Sequence, residues 1–366
     1  MNRALRVLVL FACLLLTAAV TAAPAAAARR QVSSPAITIT GVDLHDGTML
    51  AANGIYYLYG TEYGCGFQWG IAGTPWCGFG VSTAPSPTGP WSAPRLLFSP
   101  SDVNAYGLTW SNDCGSTGAG CFNPRMIQRS GWGADDGVWI LWFNTPADNW
   151  RTGANAYWSM GCNGPTGPCG ATAGPPYGST AKPSMYGCTG DGDFSLVGDA
   201  PRAPMMLCTM GDGTLSSERI GFWGAAGVGG GRTNLAGIGP SEGVGGYRDA
   251  SGTWVMTYSD PNCGYCTGTG TGYATAPAVD GAYTAPVGLV PGGAPPPAGR
   301  RGISATSCGG QPRTVVTLNG QPYQFIDLWL GTRNETAAAI HLEPLIYNGA
   351  APNGSPLHAF TAWSCR

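Results

Sequence analysis

Residues 53 to 61 read NGIYYLYGT, and four later stretches share that build: GVWILWFNT from Gly137, APMMLCTM from Ala203, GTWVMTYSD from Gly252 and QPYQFIDLW from Gln321. Each follows turn residues and is nearly all apolar, rich in aromatic and β-branched side chains, so each reads as a strand. A strand apolar on both faces must be covered on both, which fits the inner layers of packed sheets better than a solvated meander. Five such segments, spaced roughly fifty to eighty residues apart, predict radial repetition of small antiparallel sheets: an all-β, five-bladed β-propeller. A β-sandwich is the alternative, and it leaves the fivefold echo unexplained.

A second repetition supports the same reading. GFGVSTAPSPTGPW at 78 to 91 and GTGYATAPAVDGAY at 270 to 283 share G-x-G-x-x-T-A-P-x-x-x-G-x-[Trp/Tyr]. They are expected to be the next strand and outer turn of two equivalent blades, with glycine permitting the turn and Trp91 or Tyr283 packing under it. Helical periodicity is nearly absent, because Gly and Pro recur too often. The stretch from Val287 to Arg301, VGLVPGGAPPPAGRR, reads as a long connection into the fifth blade.

The N-terminus reads as a secretory signal. Arg3 and Arg6 precede an apolar run from Leu8 to Val20, and small residues follow up to a cleavage site after Ala23 or Ala28. That run is shorter than the ~20 residues a membrane span needs. Residues 1–28 are therefore expected to be a signal peptide and 29–366 one disulfide-rich catalytic domain, secreted and extracellular. Without Cys13 an even set of cysteines remains, and an oxidising compartment favours disulfides. Their neighbours in sequence suggest Cys65 with Cys77, Cys114 with Cys121, Cys162 with Cys169, Cys188 with Cys208, Cys263 with Cys266, and Cys308 with Cys365. Spacing alone does not fix connectivity. Cys263-x-x-Cys266 lacks the second ligand pair a zinc site needs, so no metal is assigned.

Charge excludes several classes of partner. Eighteen Lys and Arg against twenty Asp and Glu give a net charge of −2, and Lys182 is the only lysine. That offers no field for nucleic acid or for anionic lipid, and no membrane association is expected after signal removal. A monomer acting on a polysaccharide or oligosaccharide is the expected state.

The chain resembles glycoside hydrolase family 43, whose members are five-bladed propellers that hydrolyse arabinosyl, xylosyl or galactosyl linkages with inversion. The family opens with a pattern like His-Asp-Pro, then Tyr-Tyr-Leu and Gly-Thr. Here LHDGTMLAANGIYYLYGT supplies Asp46, with Gly47 in place of Pro. The resemblance implies that Asp46 is the general base. GDGDFSLVGD supplies Asp193, the implied carboxylate that adjusts the acid's pKa and orients substrate. PSEGVGGYRDASGTWVMTYSD supplies Glu242, the implied general acid. Departures lie in the second blade, where CFNPRMI has Asn123, Pro124 and Arg125 in place of Ala-Pro-Asp, and in GDAPRAP after Asp193. A branch similar to exo-β-1,3-galactanases lacks the usual base, and Asp46 argues against that branch. Family members often hold a calcium or sodium ion in the channel; no ligand spacing here assigns one, and no cofactor is required.

Three acids suit inverting hydrolysis. One carboxylic acid protonates the leaving oxygen, and a carboxylate ~6.5 to 9.5 Å away activates water on the opposite face of the sugar. A negative Asp193 nearby would keep Glu242 protonated. Arg125 is expected to clamp a sugar hydroxyl. Trp69, Trp76, Trp110, Trp150 and Trp223 sit in Gly-rich loops as stacking candidates, with Trp76 and Trp110 preferred. Asn334 and Asn353 open glycosylation sequons. Three rivals remain: a non-catalytic carbohydrate-binding propeller, a retaining sucrase-like propeller with Asp46 as nucleophile, and a serine esterase. The last would use Ser241 in Gly239-Pro240-Ser241-Glu242-Gly243, and that motif needs a strand before it and a helix after it.

Overall fold

The computed structural model describes residues 35–132, 136–152, 155–170, 182–190, 192–198, 202–235, 240–259, 265–285, 302–349 and 359–366. The expected signal peptide, Cys263, the connection over 287–301 and Asn353 lie outside them.

The described residues form five antiparallel sheets. One holds β2 (His45–Ala52), β3 (Ile55–Thr61), β4 (Phe79–Ala84) and β5 (Arg95–Leu96) in that order. The next three are β6 (Phe122–Arg129), β7 (Val138–Asn144) and β8 (Tyr157–Cys162); β9 (Phe194–Val197), β10 (Met205–Thr209) and β11 (Leu215–Arg219); and β12 (Glu242–Arg248), β13 (Trp254–Ser259) and β14 (Thr271–Ala276). The fifth holds β15 (Gln311–Leu318), β16 (Gln321–Leu328) and β17 (Ala339–Pro344), with β1 (Ile37–Ile39) added outside β17. Two short helices, α1 (Trp110–Gly115) and α2 (Pro146–Thr152), sit in loops.

The five look-alike stretches are the central strands β3, β7, β10, β13 and β16. Their doubled apolar faces have a simple cause. Tyr57 and Tyr59 point into a core shared with Leu141 and Phe143 of β7, while Leu58 and Tyr56 point into another shared with Phe325 and Ile340. Ile140 and Trp142 meet Met206 and Cys208; Met205 and Leu207 meet Trp254 and Met256; Val255 and Tyr247 meet Leu345 and Phe360. Five cores therefore separate five sheets, and the central strands β3, β7, β10 and β13 each feed two of them by period-two alternation. The first strands follow the same cycle: β2 touches β6, β6 touches β9, β9 touches β12, β12 touches β15, and β15 touches β2.

The doubled phrase folds the same way twice. Phe79 pairs with Thr61 and Thr271 with Ser259, the last residues of their central strands. Gly89 N donates to Ser86 O and Gly281 N to Ala278 O, and Ser92 N donates to Thr83 O as Thr284 N does to Thr275 O. Tyr283 is buried, and Trp91 packs at the edge of the core between the first and fifth sheets.

Five disulfides join the expected partners: Cys65–Cys77, Cys114–Cys121, Cys162–Cys169, Cys188–Cys208 and Cys308–Cys365. Cys266 is also disulfide-bonded. Asn334, expected as a glycosylation sequon, donates its side-chain amide to Tyr63 O and Phe67 O. A glycan on that nitrogen would have to displace both bonds.

Candidate active site

Four of the five first strands carry a bulge at their starts: between His45 and Thr48, Phe122 and Arg125, Glu242 and Gly245, and Pro312 and Val315. A bulge releases one residue from the ladder and re-aims its side chain. Asp46 and Asn123 sit in these bulges at φ 53° and 58°, a left-handed backbone that few non-glycine residues adopt. Gly47 has to be glycine, because a Cβ there would fall 1.7 Å from Tyr59 O. That requirement accounts for its standing where the resembling pattern has Pro.

The bulges bring residues from all five sheets into one polar network. Asp46 Oδ1 accepts from Thr61 Oγ1 at 2.9 Å and from Asn123 N at 3.1 Å, while Asp46 Oδ2 has no hydrogen bond among the described residues. Asn123 Nδ2 donates to Asp193 Oδ1 at 2.9 Å, and Arg313 Nη2 donates to the same oxygen at 2.7 Å and to Asn123 Oδ1 at 2.8 Å. Asp193 Oδ2 accepts from Gly243 N at 3.1 Å, which places the residue beside Glu242 against Asp193. Glu242 Oε1 accepts from Gln311 Nε2 at 2.9 Å, and Gln311 Oε1 from Trp329 Nε1 at 2.8 Å.

Burial dominates the electrostatics. It lifts Asp46 to about 7, with Asp327 adding to the rise and Arg313, Thr61 and Asn123 opposing it. It also lifts Asp327 to about 6, against the pull of Arg313. Burial alone would lower Arg313, but Asp193, Asp327 and Asp46 push it above its ordinary range. His45 is fully buried between Tyr63 and Trp329, and its Nε2 lies 3.3 Å from Asp43 Oδ1 without hydrogen-bond geometry.

The sequence-derived acids Asp46, Asp193 and Glu242 thus reach one network. The structure places the other candidates differently. Arg125 is buried and donates to Phe194 O, Asp46 O and Gly47 O, at 3.1, 2.8 and 2.6 Å, and to Asn123 Oδ1 at 3.1 Å. It therefore clamps three first strands together, with its guanidinium turned to protein carbonyls and not to a sugar. Trp76 and Trp110 are 1% and 0% exposed in the largest core, so neither ring has a face open to a ligand. Trp223 is exposed, beyond the β11 end opposite the network. The side chain of Trp150 lies outside the described residues. Trp69 is 40% exposed and edge-on to Tyr265, which itself stacks edge-on with Trp329. Sequence reasoning missed Asn123 as a network member, Arg313 and Asp327.

One reading loses its basis here. Ser241 leads into strand β12 and not a helix, so the esterase elbow is absent. Of the acids in the network, Asp193 is paired with Arg313, whereas Asp46 Oδ2 and Asp327 Oδ1 carry no hydrogen bond among the described residues. Cys308, Glu343 and Cys365 form the one clustered set of potential ligands among the described residues, and both cysteines are oxidised to a disulfide. His341 is bonded to Thr38 and Glu343.

By sequence, the chain matches no family model and no curated protein. By structure it is similar to an exo-β-1,3-galactanase from Phanerochaete chrysosporium in complex with β-1,3-galactotriose, at TM-score 0.60 and 14% identity over 84% of this chain. It spans 64% of that enzyme's length. A family 43 β-1,3-galactosidase bound to galactodeoxynojirimycin matches at TM-score 0.61 and 15% identity, over 89% of this chain and 95% of its own. The fold is that of family 43 glycoside hydrolases. An exo-β-1,3-galactanase from Clostridium thermocellum shares this family 43 fold at TM-score 0.59 and 13% identity, over 85% of this chain and 63% of its own.

Proposed function

We propose that the protein is a secreted, inverting glycoside hydrolase built as a single five-bladed propeller over 29–366, and that β-1,3-linked galactosyl chains are its first substrate class to test. The observation that carries this reading is the convergence of Asp46, Asp193 and the Glu242–Gly243 bulge, from three different sheets, on one hydrogen-bonded network. The cyclic contacts of the five first strands support the propeller. The named substrates and ligands of the similar structures support galactosyl linkages over arabinosyl or xylosyl ones, in place of the expectation that Asp46 sets the chain apart from the galactanase-like branch.

In this mechanism Glu242 is the general acid. It protonates the glycosidic oxygen, and Gln311, anchored by Trp329, fixes its orientation. Asp46 is the general base. Its Oδ1 is held by Thr61 and Asn123, so Oδ2 takes the proton from the attacking water as that water's oxygen bonds to the anomeric carbon. Asp193 supplies negative charge beside Glu242, and Arg313 and Asn123 fix its position.

Assays of the secreted protein on β-1,3-galactan, aryl galactoside, arabinofuranoside and xyloside test this reading. Glu242→Gln is expected to abolish turnover and keep sugar binding. Equal activity in the two proteins would remove Glu242 from its role. Sugar binding without turnover in the wild type would favour the non-catalytic propeller.

A further inference from the structure

Asp327, the last residue but one of β16, corresponds to Thr61 at the end of β3: Gln311 pairs with Asp327 as His45 pairs with Thr61. The corresponding residues are Asn144 opposite Phe122 and Ser259 opposite Glu242. Those three are neutral. Asp327 is an acid, fully buried, and its Oδ1 has no hydrogen-bond partner among the described residues. Taking a carboxylate out of water is costly, and an Asn here would accept the same bonds without that penalty. The charge needs a cause.

Two contacts of Oδ2 supply one. It accepts the main-chain N–H of Asp46 at 3.1 Å, and it lies 3.8 Å from Arg313 Nε. The bulge has taken that Asp46 N–H out of the ladder, so without Asp327 it would be a buried orphan. Arg313 is held from its other side by Asp193 and Asn123. Among the described residues, no hydrogen bond or ion pair joins Arg313 to the Asp46 carboxylate. The other charged or titratable groups that act on this pair are His45 and Arg125 on Asp327, and Tyr63 and Tyr265 near Asp46.

We propose that Asp327 is a positioning residue: it seats Asp46 in its bulge through the main-chain N–H and draws Arg313 away from the Asp46 carboxylate, which leaves that carboxylate able to accept a proton. This rests on Asp46 as the general base. With Asp327 neutral, the charge of Arg313 acts on Asp46 undivided and makes it a weaker base.

Asp327→Asn keeps the shape and an acceptor oxygen but removes the charge. In this variant the acidic limb of kcat/KM against pH is expected to move down by about one unit, with a lower plateau. The Asp46 carboxyl carbon, followed by 13C NMR and assigned with Asp46→Asn, is expected to titrate lower by the same amount. That readout needs no turnover. A lower melting temperature with both titrations unmoved makes Asp327 merely structural and overturns the proposal. The wild type gives a second check: its Asp46 carboxyl is expected to titrate well above the ordinary 3.8, at about 7, and titration near 3.8 also overturns the proposal. If the wild type hydrolyses no glycoside while the NMR shift occurs, the general-base reading fails and the hold of Asp327 on Asp46 is upheld.

Discussion

Thr61 Oγ1, at the end of β3, donates to Asp46 Oδ1 at 2.9 Å, so the central strand of the first sheet fixes which oxygen of Asp46 is left without a hydrogen bond among the described residues. This donor favours the ionised form of Asp46. Thr61→Val keeps the side chain's shape and removes the bond. A hydrogen bond to a charged group contributes about 1.5 kcal/mol, so kcat/KM at neutral pH is expected to fall about tenfold. The acidic limb moves to higher pH, opposite to its movement in Asp327→Asn. Steady-state kinetics across pH 4 to 9 check both.

Asp46 and Asp327 also tie stability to pH. Both are raised above their unfolded values, to about 7 and about 6, so each binds its proton more tightly in the folded chain. Their contribution is full below the unfolded value of 3.8 and is lost as pH rises through 6 and 7. Asp46→Asn removes part of that loss. Relative to wild type it is expected to gain stability between pH 5 and pH 8, as read by urea unfolding at both.

Trp69 and Trp76 separate binding from packing. Trp76→Ala empties a fully buried site against Phe79 and Phe98 and is expected to destabilise by about 3 to 5 kcal/mol. Trp69→Ala removes an exposed ring beside Tyr265 and is expected to leave the melting temperature within about 2 °C. It is expected to weaken oligosaccharide binding severalfold in calorimetry, as a stacking platform at the site's edge would.

Cys308–Cys365 ties the start of β15 to the chain's last residues across 57 positions, whereas Cys114–Cys121 spans 7. If loop closure governs, removing the longer link costs about 4 kcal/mol and the shorter about 2.5 kcal/mol. Cys308→Ser with Cys365→Ser is expected to show the larger drop in melting temperature and early proteolysis of the C-terminal segment that Glu343 holds through Ser364 N.

The central strands were legible because four of them feed two cores each, which writes a nearly uninterrupted apolar run into the sequence. The doubled phrase was legible because two third strands and their outer turns obey the same register. Four disulfides followed from proximity in the chain, and Cys308–Cys365 from being the pair left over. The addition of β1 to the fifth sheet was not legible: three residues find partners some three hundred positions away, as in Thr38 opposite His341. Asn123, Arg313 and Asp327 gain meaning only when the bulges converge. A signal for Asp327 existed nonetheless, since the central strands of four sheets carry a polar residue at or next to their ends, opposite the start of a first strand, and one of those residues is an acid. Trp76 and Trp110 misled because their loops are Gly-rich. The disulfides of Cys77 and Cys114, close by in each case, belong to the core that buries both rings.

Product stereochemistry tests the central claim most directly. Time-resolved proton NMR of wild-type protein acting on a β-1,3-galactooligosaccharide is expected to show α-galactose appearing first and then mutarotating, with no product from Glu242→Gln. Initial release of β-galactose, or equal release by Glu242→Gln, would contradict a single-displacement reaction run by Glu242 and Asp46.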